Sequence, residues 1–373
     1  MNASMRRVAA PLRRLVRAAP LALGAALAAA ATPGAGRAQT PAALAPTVVS
    51  LGTCRLASGA TIPDCRVAYR AYGRLNAERS NAVLVPTFFA GRSEDHAFML
   101  GTYVDTARYH VLVVDALGDG HSSSPSNAAP AARAAFRDLT IGDMVEAQRR
   151  LLVEHLGIRR LRAVVGISMG GFQAFEWAVR HPTFADVVVP VVGSPRVTAA
   201  DQLVYDAMRG AAEQASSAGV PADAAWTQVS RIESLFMRTR AMLTDSGPAW
   251  VEREVAALAG AYRQQRWALD DYAAQLGAIR RHDVAAGFGG ELSRAAGAVR
   301  ARMLVVYSPD DLIVASGPAA EFARLAGADT LAVRSACGHA LFWCEEASVG
   351  EAVRRFVEQD ASVATERRGA SGR

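Results

Sequence analysis

The sequence predicts an α/β fold, a mostly parallel doubly wound sheet covered on both faces by helices, on three observations. Continuous apolar runs alternate with helical segments over most of the chain. One such run, Val164-Val165, breaks into Gly166-Ile167-Ser168-Met169-Gly170 and is followed by the helix-forming stretch Phe172 to Arg180. Beyond the last expected strand stands Gly338-His339, ahead of another helical segment.

Taken in order, the chain opens with Arg6, Arg7, Arg13, Arg14 and Arg17, an apolar stretch from Ala18 to Ala31, and Gly36-Arg37-Ala38. A basic start, an apolar run too short to span a bilayer and a small-residue site are the pattern of a secretory signal, so residues 1–38 are expected to be removed after Ala38. The formal charge then falls from +6 to zero, because that segment holds six Arg and no acidic residue. No basic patch is left to argue for nucleic acid, and no second long apolar run argues for a membrane span. Export makes disulfides the default for Cys54, Cys65, Cys337 and Cys344, and local pairing, Cys54 with Cys65 and Cys337 with Cys344, is the simplest arrangement.

From Val48 to Tyr72 the residues alternate and turn at Gly59 and Pro63, which predicts an antiparallel hairpin whose second strand is Cys65 to Tyr72. Parallel strands are expected at Ala82 to Val85, Val111 to Val114, Ala163 to Val165, Val187 to Val192 and Met303 to Val306. The clearest helix runs from Asp143 to Leu156, with Thr140 and Asp143 as a capping pair and Gly157 as its stop. Strand-like runs then cease between Arg196 and Arg300, where helical spacing predicts an inserted cap at about 196–300 above the carboxyl ends of the strands. One domain, 39–360, carries sheet and cap, and the Ser-, Gly- and Arg-rich tail 361–373 is expected to be disordered.

A serine between two glycines at a strand-to-helix turn reads as a nucleophile elbow, because the sharp turn holds Oγ clear of its own backbone. Such a hydroxyl needs a base within hydrogen-bond reach and a carboxylate to orient that base. Of the seven histidines only His339 follows the last two expected strands, Met303 to Val306 and Thr330 to Val333. The acid is expected in Ser308-Pro309-Asp310-Asp311-Leu312-Ile313; Asp310 is chosen because one variable residue and an apolar pair follow it, with Asp311 as the alternative. For the oxyanion hole the expected donors are the backbone N–H of Met169 and that of Phe89, with Phe88 the alternative. The glycine-rich loop Asp115 to Pro125 is read as scaffold.

Several stretches carry a resemblance: Asp105-Thr106-Ala107-Arg108-Tyr109, Leu117-Gly118 with Ser124-Pro125-Ser126-Asn127, Asp143-Met144-Val145 with Gln148, and Ser168-Met169-Gly170-Gly171-Phe172-Gln173-Ala174-Phe175-Glu176-Trp177. Together they resemble the homoserine O-acetyltransferase family of the α/β-hydrolase fold. That resemblance implies an acyl group taken by the serine and passed to an alcohol, with Arg209 matching the arginine that receives the acceptor carboxylate. The chain departs from the family pattern at Thr87-Phe88-Phe89-Ala90-Gly91, at Ile167, and at Ala340, where the family places Asp after its histidine.

The reading is serine-dependent acyl transfer through Ser168, His339 and Asp310, in an exported protein, with a hydroxyl acceptor or water receiving the acyl group. No metal and no resident cofactor are expected, acetyl-CoA entering only as an acyl donor. The partners are a small-molecule ester or acyl donor and its acceptor, with a homodimer compatible. The reading from another class is a non-catalytic ligand-binding protein on the same fold.

Overall fold

A computed structural model describes residues 45–359. The expected signal segment 1–38 and tail 361–373 lie outside the described residues. The eight-stranded sheet is built from β1 (Thr47–Ser50), β4 (Arg66–Tyr72), β5 (Ala82–Pro86), β6 (His110–Val114), β7 (Leu161–Ile167), β8 (Ala185–Val191), β9 (Arg302–Tyr307) and β10 (Asp329–Ala332); β2 (Cys54–Arg55) and β3 (Thr61–Ile62) form a separate ribbon. Its order is β1-β4-β6-β5-β7-β8-β9-β10, antiparallel at β1/β4 and β4/β6 and parallel from β6 onward.

The apolar runs explain the parallel strands. All five residues of β5 and the last five of β7 are buried, as they must be with helices on both faces. Each fully buried valine or leucine contributes roughly 1.5–3 kcal/mol relative to exposure. Helix α1 (Ile141–Arg150) starts where the sequence marks it, Thr140 and Asp143 forming a reciprocal capping box, but Leu151–His155 continue it as a π-turn. The elbow serine is followed by α2 (Met169–Arg180).

Between β8 and β9 the described residues hold α3 (Ala199–Ser217), α4 (Ala222–Met237), α5 (Arg240–Ser246), α6 (Pro248–Gln264), α7 (Leu269–Arg280) and α8 (Leu292–Ala298), and no strand. Helix α8 packs against α2 and α9 (Ser316–Ala326) in the layer that covers the sheet, so it belongs to that layer rather than to the inserted helices before it. The chain closes with α10 (Leu341–Cys344) and α11 (Glu346–Glu358). Cys54 pairs with Cys65 and Cys337 with Cys344, as expected, with Cα–Cα distances of 5.5 and 6.5 Å.

Candidate active site

Ser168 stands between β7 and α2 with φ 53° and ψ −119°, a conformation that a side-chain-bearing residue holds only when its surroundings dictate it. Those surroundings are glycines. A Cβ on Gly166 would run into the Gly170 carbonyl, and one on Gly170 into the Pro86 carbonyl, so the turn closes only with hydrogen at both positions.

The Ser168 hydroxyl lies 2.8 Å from His339 Nε2, and His339 Nδ1 lies 2.7 Å from Asp311 Oδ2. The bond to the carboxylate assigns the proton to Nδ1 and leaves Nε2 to accept from Ser168. His339 is presented by a short turn, Gly338–Ala340, between the two cysteines of the second disulfide.

The acid is corrected from Asp310 to Asp311. The side chain of Asp311 is buried and its Oδ1 accepts the amides of Ile313 and Val314, both at 2.9 Å, which fixes the carboxylate while Oδ2 faces the imidazole. Asp310, the neighbour on the other side of the turn, points outward and pairs with Arg334 at 3.2 Å.

The loop after β5 is held by two side chains that the sequence did not single out. Phe88 N–H donates to His96 Nε2 at 3.1 Å, which withdraws it as an oxyanion donor. His96 Nδ1 is bonded in turn to the Arg92 carbonyl at 2.9 Å, and burial lowers the His96 pKa to about 4, so the ring stays neutral and able to accept. Ala90, strained at φ 51°, gives its N–H to Gln275 Oε1 of α7 at 3.0 Å. Between them the Phe89 N–H has no hydrogen-bond partner among the described residues, and Phe89 and Ser168 line one cavity.

Gln148, Gln173 and Trp177, met above only as parts of a resemblance, form a buried chain beneath this loop. Trp177 Nε1 donates to Gln148 Oε1 (2.8 Å), Gln148 Nε2 to Gln173 Oε1 (2.5 Å), and Gln173 Nε2 to the carbonyls of Thr87 (3.0 Å) and Met169 (3.2 Å). The two segments expected to carry the oxyanion amides are thus tied by one side chain. The 115–125 loop braces the other flank: Asp115 accepts from both the amide and the hydroxyl of Ser93, at 2.7 and 2.6 Å.

The cavity over Ser168, about 390 Å³, is walled by Phe88, Phe342 and Trp343 on the sheet side and by Met237, Trp250 and Leu258 of the inserted helices. Arg209 is not among its residues. It pairs with Glu213 at 2.8 Å and borders a different depression, beside Arg133 and Arg137, so the acceptor-binding role implied by resemblance has no place there. Ala340 is fully buried and brings no carboxylate next to His339. No helix among the described residues is long and apolar enough to cross a membrane.

A family model described as alpha/beta hydrolase fold matches residues 83–346. The ethyl acetate hydrolase of Pseudomonas veronii is 40% identical over 153 residues, 40% of this chain and 44% of that protein. The homoserine O-acetyltransferase of Desulfotalea psychrophila is 34% identical over 166 residues, 39% of this chain and 42% of that protein. The chain therefore matches less than half the length of either relative. Among solved structures, an acetylester hydrolase from Corynebacterium glutamicum superposes with a TM-score of 0.76 at 24% identity, over 84% of this chain and 96% of that one. Since the matched region runs from β5 through the elbow to the turn that presents His339, the chain belongs to the alpha/beta hydrolase fold family.

Proposed function

We propose that the protein is an exported serine enzyme that moves a short acyl group from an ester to water or to a hydroxyl acceptor. The observation that carries the reading is the Ser168–His339–Asp311 chain, with both links under 3 Å, beside a mostly apolar cavity. In the first half, Ser168 Oγ attacks the ester carbonyl carbon while its proton passes to His339 Nε2. The negative oxygen that forms is received by the amides of Met169 and Phe89. As the tetrahedral species collapses, the C–O bond to the alcohol breaks and His339 returns the proton to the leaving oxygen. In the second half, water or another hydroxyl gives its proton to His339 and attacks the acyl-serine; the bond from acyl carbon to Oγ then breaks, His339 returns the proton to Ser168 Oγ, and the acid or new ester leaves.

The names of the relatives support both outcomes, since one is an ethyl acetate hydrolase and another a homoserine O-acetyltransferase. The missing carboxylate at Ala340 weighs against an amino-acid acceptor. Two disulfides support an oxidising compartment. A fluorophosphonate probe is expected to label the protein at Ser168 alone and to leave Ser168→Ala unlabelled, as read by mass spectrometry of the peptides. Labelling that survives the substitution refutes the reading.

A further inference from the structure

The cap wall of the cavity contains a carboxylate that the chemistry above does not use. Glu233, on α4, is 6% exposed, yet it lines the same space as Ser168 and His339. Tyr262 and Tyr272, both buried, direct their hydroxyls to the same oxygen, Oε2, at 2.7 and 2.9 Å. Oε1 has no bond to any group among the described residues, and no cation pairs with Glu233 there. The arginine of the cavity, Arg238, is tied to Glu254 at 3.0 Å. A carboxyl oxygen taken out of bulk water without a partner costs free energy that a bound donor returns.

We propose that Glu233 Oε1 receives a hydrogen-bond donor, a hydroxyl or ammonium group, borne by the alcohol part of the substrate or by the acceptor that replaces it. The inference rests on the acyl-transfer reading and names the substrate class of the same site: esters whose alcohol carries a second hydroxyl or an amine. The alcohol side is assigned by proximity to the histidine. Helix α4 packs against the turn that carries His339, and His339 delivers its proton to the departing alcohol oxygen. A group fixed beside that turn therefore meets the alcohol rather than the acyl chain. Burial raises the Glu233 carboxyl, while the two tyrosine hydroxyls and, when it carries a second proton, the nearby His339 draw it back toward ionisation. Asp95 and Glu254 also line the cavity, against Arg238 alone, so it disfavours anionic substrates.

Calorimetry on Ser168→Ala protein reads this contact without turnover. Ethylene glycol monoacetate is compared with propyl acetate, its isostere without a donor, and protonated dimethylaminoethyl acetate with isoamyl acetate. The donor-bearing member of at least one pair is expected to bind about tenfold more tightly, as a hydrogen bond to a charged group gives, and Glu233→Gln on the same background to remove most of that ratio. The pair that shows the larger ratio tells hydroxyl from ammonium recognition. Equal affinities within both pairs in the parent, or a ratio that survives Glu233→Gln, overturns the proposal, and the parent ratio decides even if the variant does not fold. Absence of ester turnover by the wild type would count against the serine reading and leave these binding ratios to be judged on their own.

Discussion

Asp310 and Asp311 are consecutive carboxylates on one turn, and their fates diverge because successive side chains leave a turn in different directions. Asp311 is sealed inside with two amides on one oxygen and the imidazole on the other, whereas Asp310 meets Arg334 in solvent. The sequence places the acid loop after β9 but not which of the two turns inward, since that depends on where the amides of Ile313 and Val314 point. Asp311→Asn is expected to lower kcat roughly a thousandfold or more by favouring the wrong imidazole tautomer, and Asp310→Asn to change it less than about twofold, as measured with a short p-nitrophenyl ester. The opposite order would restore Asp310 as the orienting acid. Ser168 and His339 were legible because their chemistry follows strand ends; His96 was not, because its partners are backbone atoms of a loop whose path no residue pattern specifies.

At the scale of elements, apolar runs marked β5 to β9 to within a few residues, since the stretches of these strands buried on both faces are apolar and polar residues such as Arg162 and Asp186 stand only near their half-buried starts. The last inserted helices were harder to divide, because α8 has the same composition as the cap helices and differs only in what it packs against. The turn with His339 is anchored by a disulfide whose closure of a short loop stabilises it by about 2.5 kcal/mol through lost chain entropy. Mild reductant is therefore expected to lower activity by about tenfold to a hundredfold while the far-ultraviolet circular dichroism of the sheet and helices is retained, given how steeply rate falls with small displacements of a catalytic group. Activity that persists until the circular dichroism collapses, or free thiols in the untreated protein, would show that the staple does not hold the histidine.

For the molecule as a whole, His96 and His282, which are buried, and His181, which is partly buried, are held toward the neutral form. Burial lowers His96 and His181 to about 4 and His282 to about 3. With folded-state pKa values below the ordinary value near 6.5, each contributes stability that is complete above about pH 6.5 and is lost as pH falls toward its folded-state pKa. Asp271, raised to about 6 by burial, works in the other direction, since its protonation on the way down favours the folded state. The histidine share is isolated by comparing slopes. Between pH 6.5 and 4, His282→Gln is expected to flatten the dependence of unfolding free energy on pH by up to about 1.4 kcal/mol per pH unit, one proton's worth, in urea melts. Identical slopes for the two proteins would mean that His282 titrates normally in the fold.

The bond from Ala90 to Gln275 joins the loop beside Ser168 to an inserted helix, across a separation of 185 residues in the chain. Modular thinking treats such helices as exchangeable covers that choose substrates while the sheet keeps the chemistry. Here the cover also holds the loop that the proposed chemistry would use, because a strained amide next to the expected oxyanion donor ends on one of its side chains. A chimera that imports the helices of a relative must bring an acceptor to the position of Gln275, or the transplanted specificity arrives with a slackened catalytic loop.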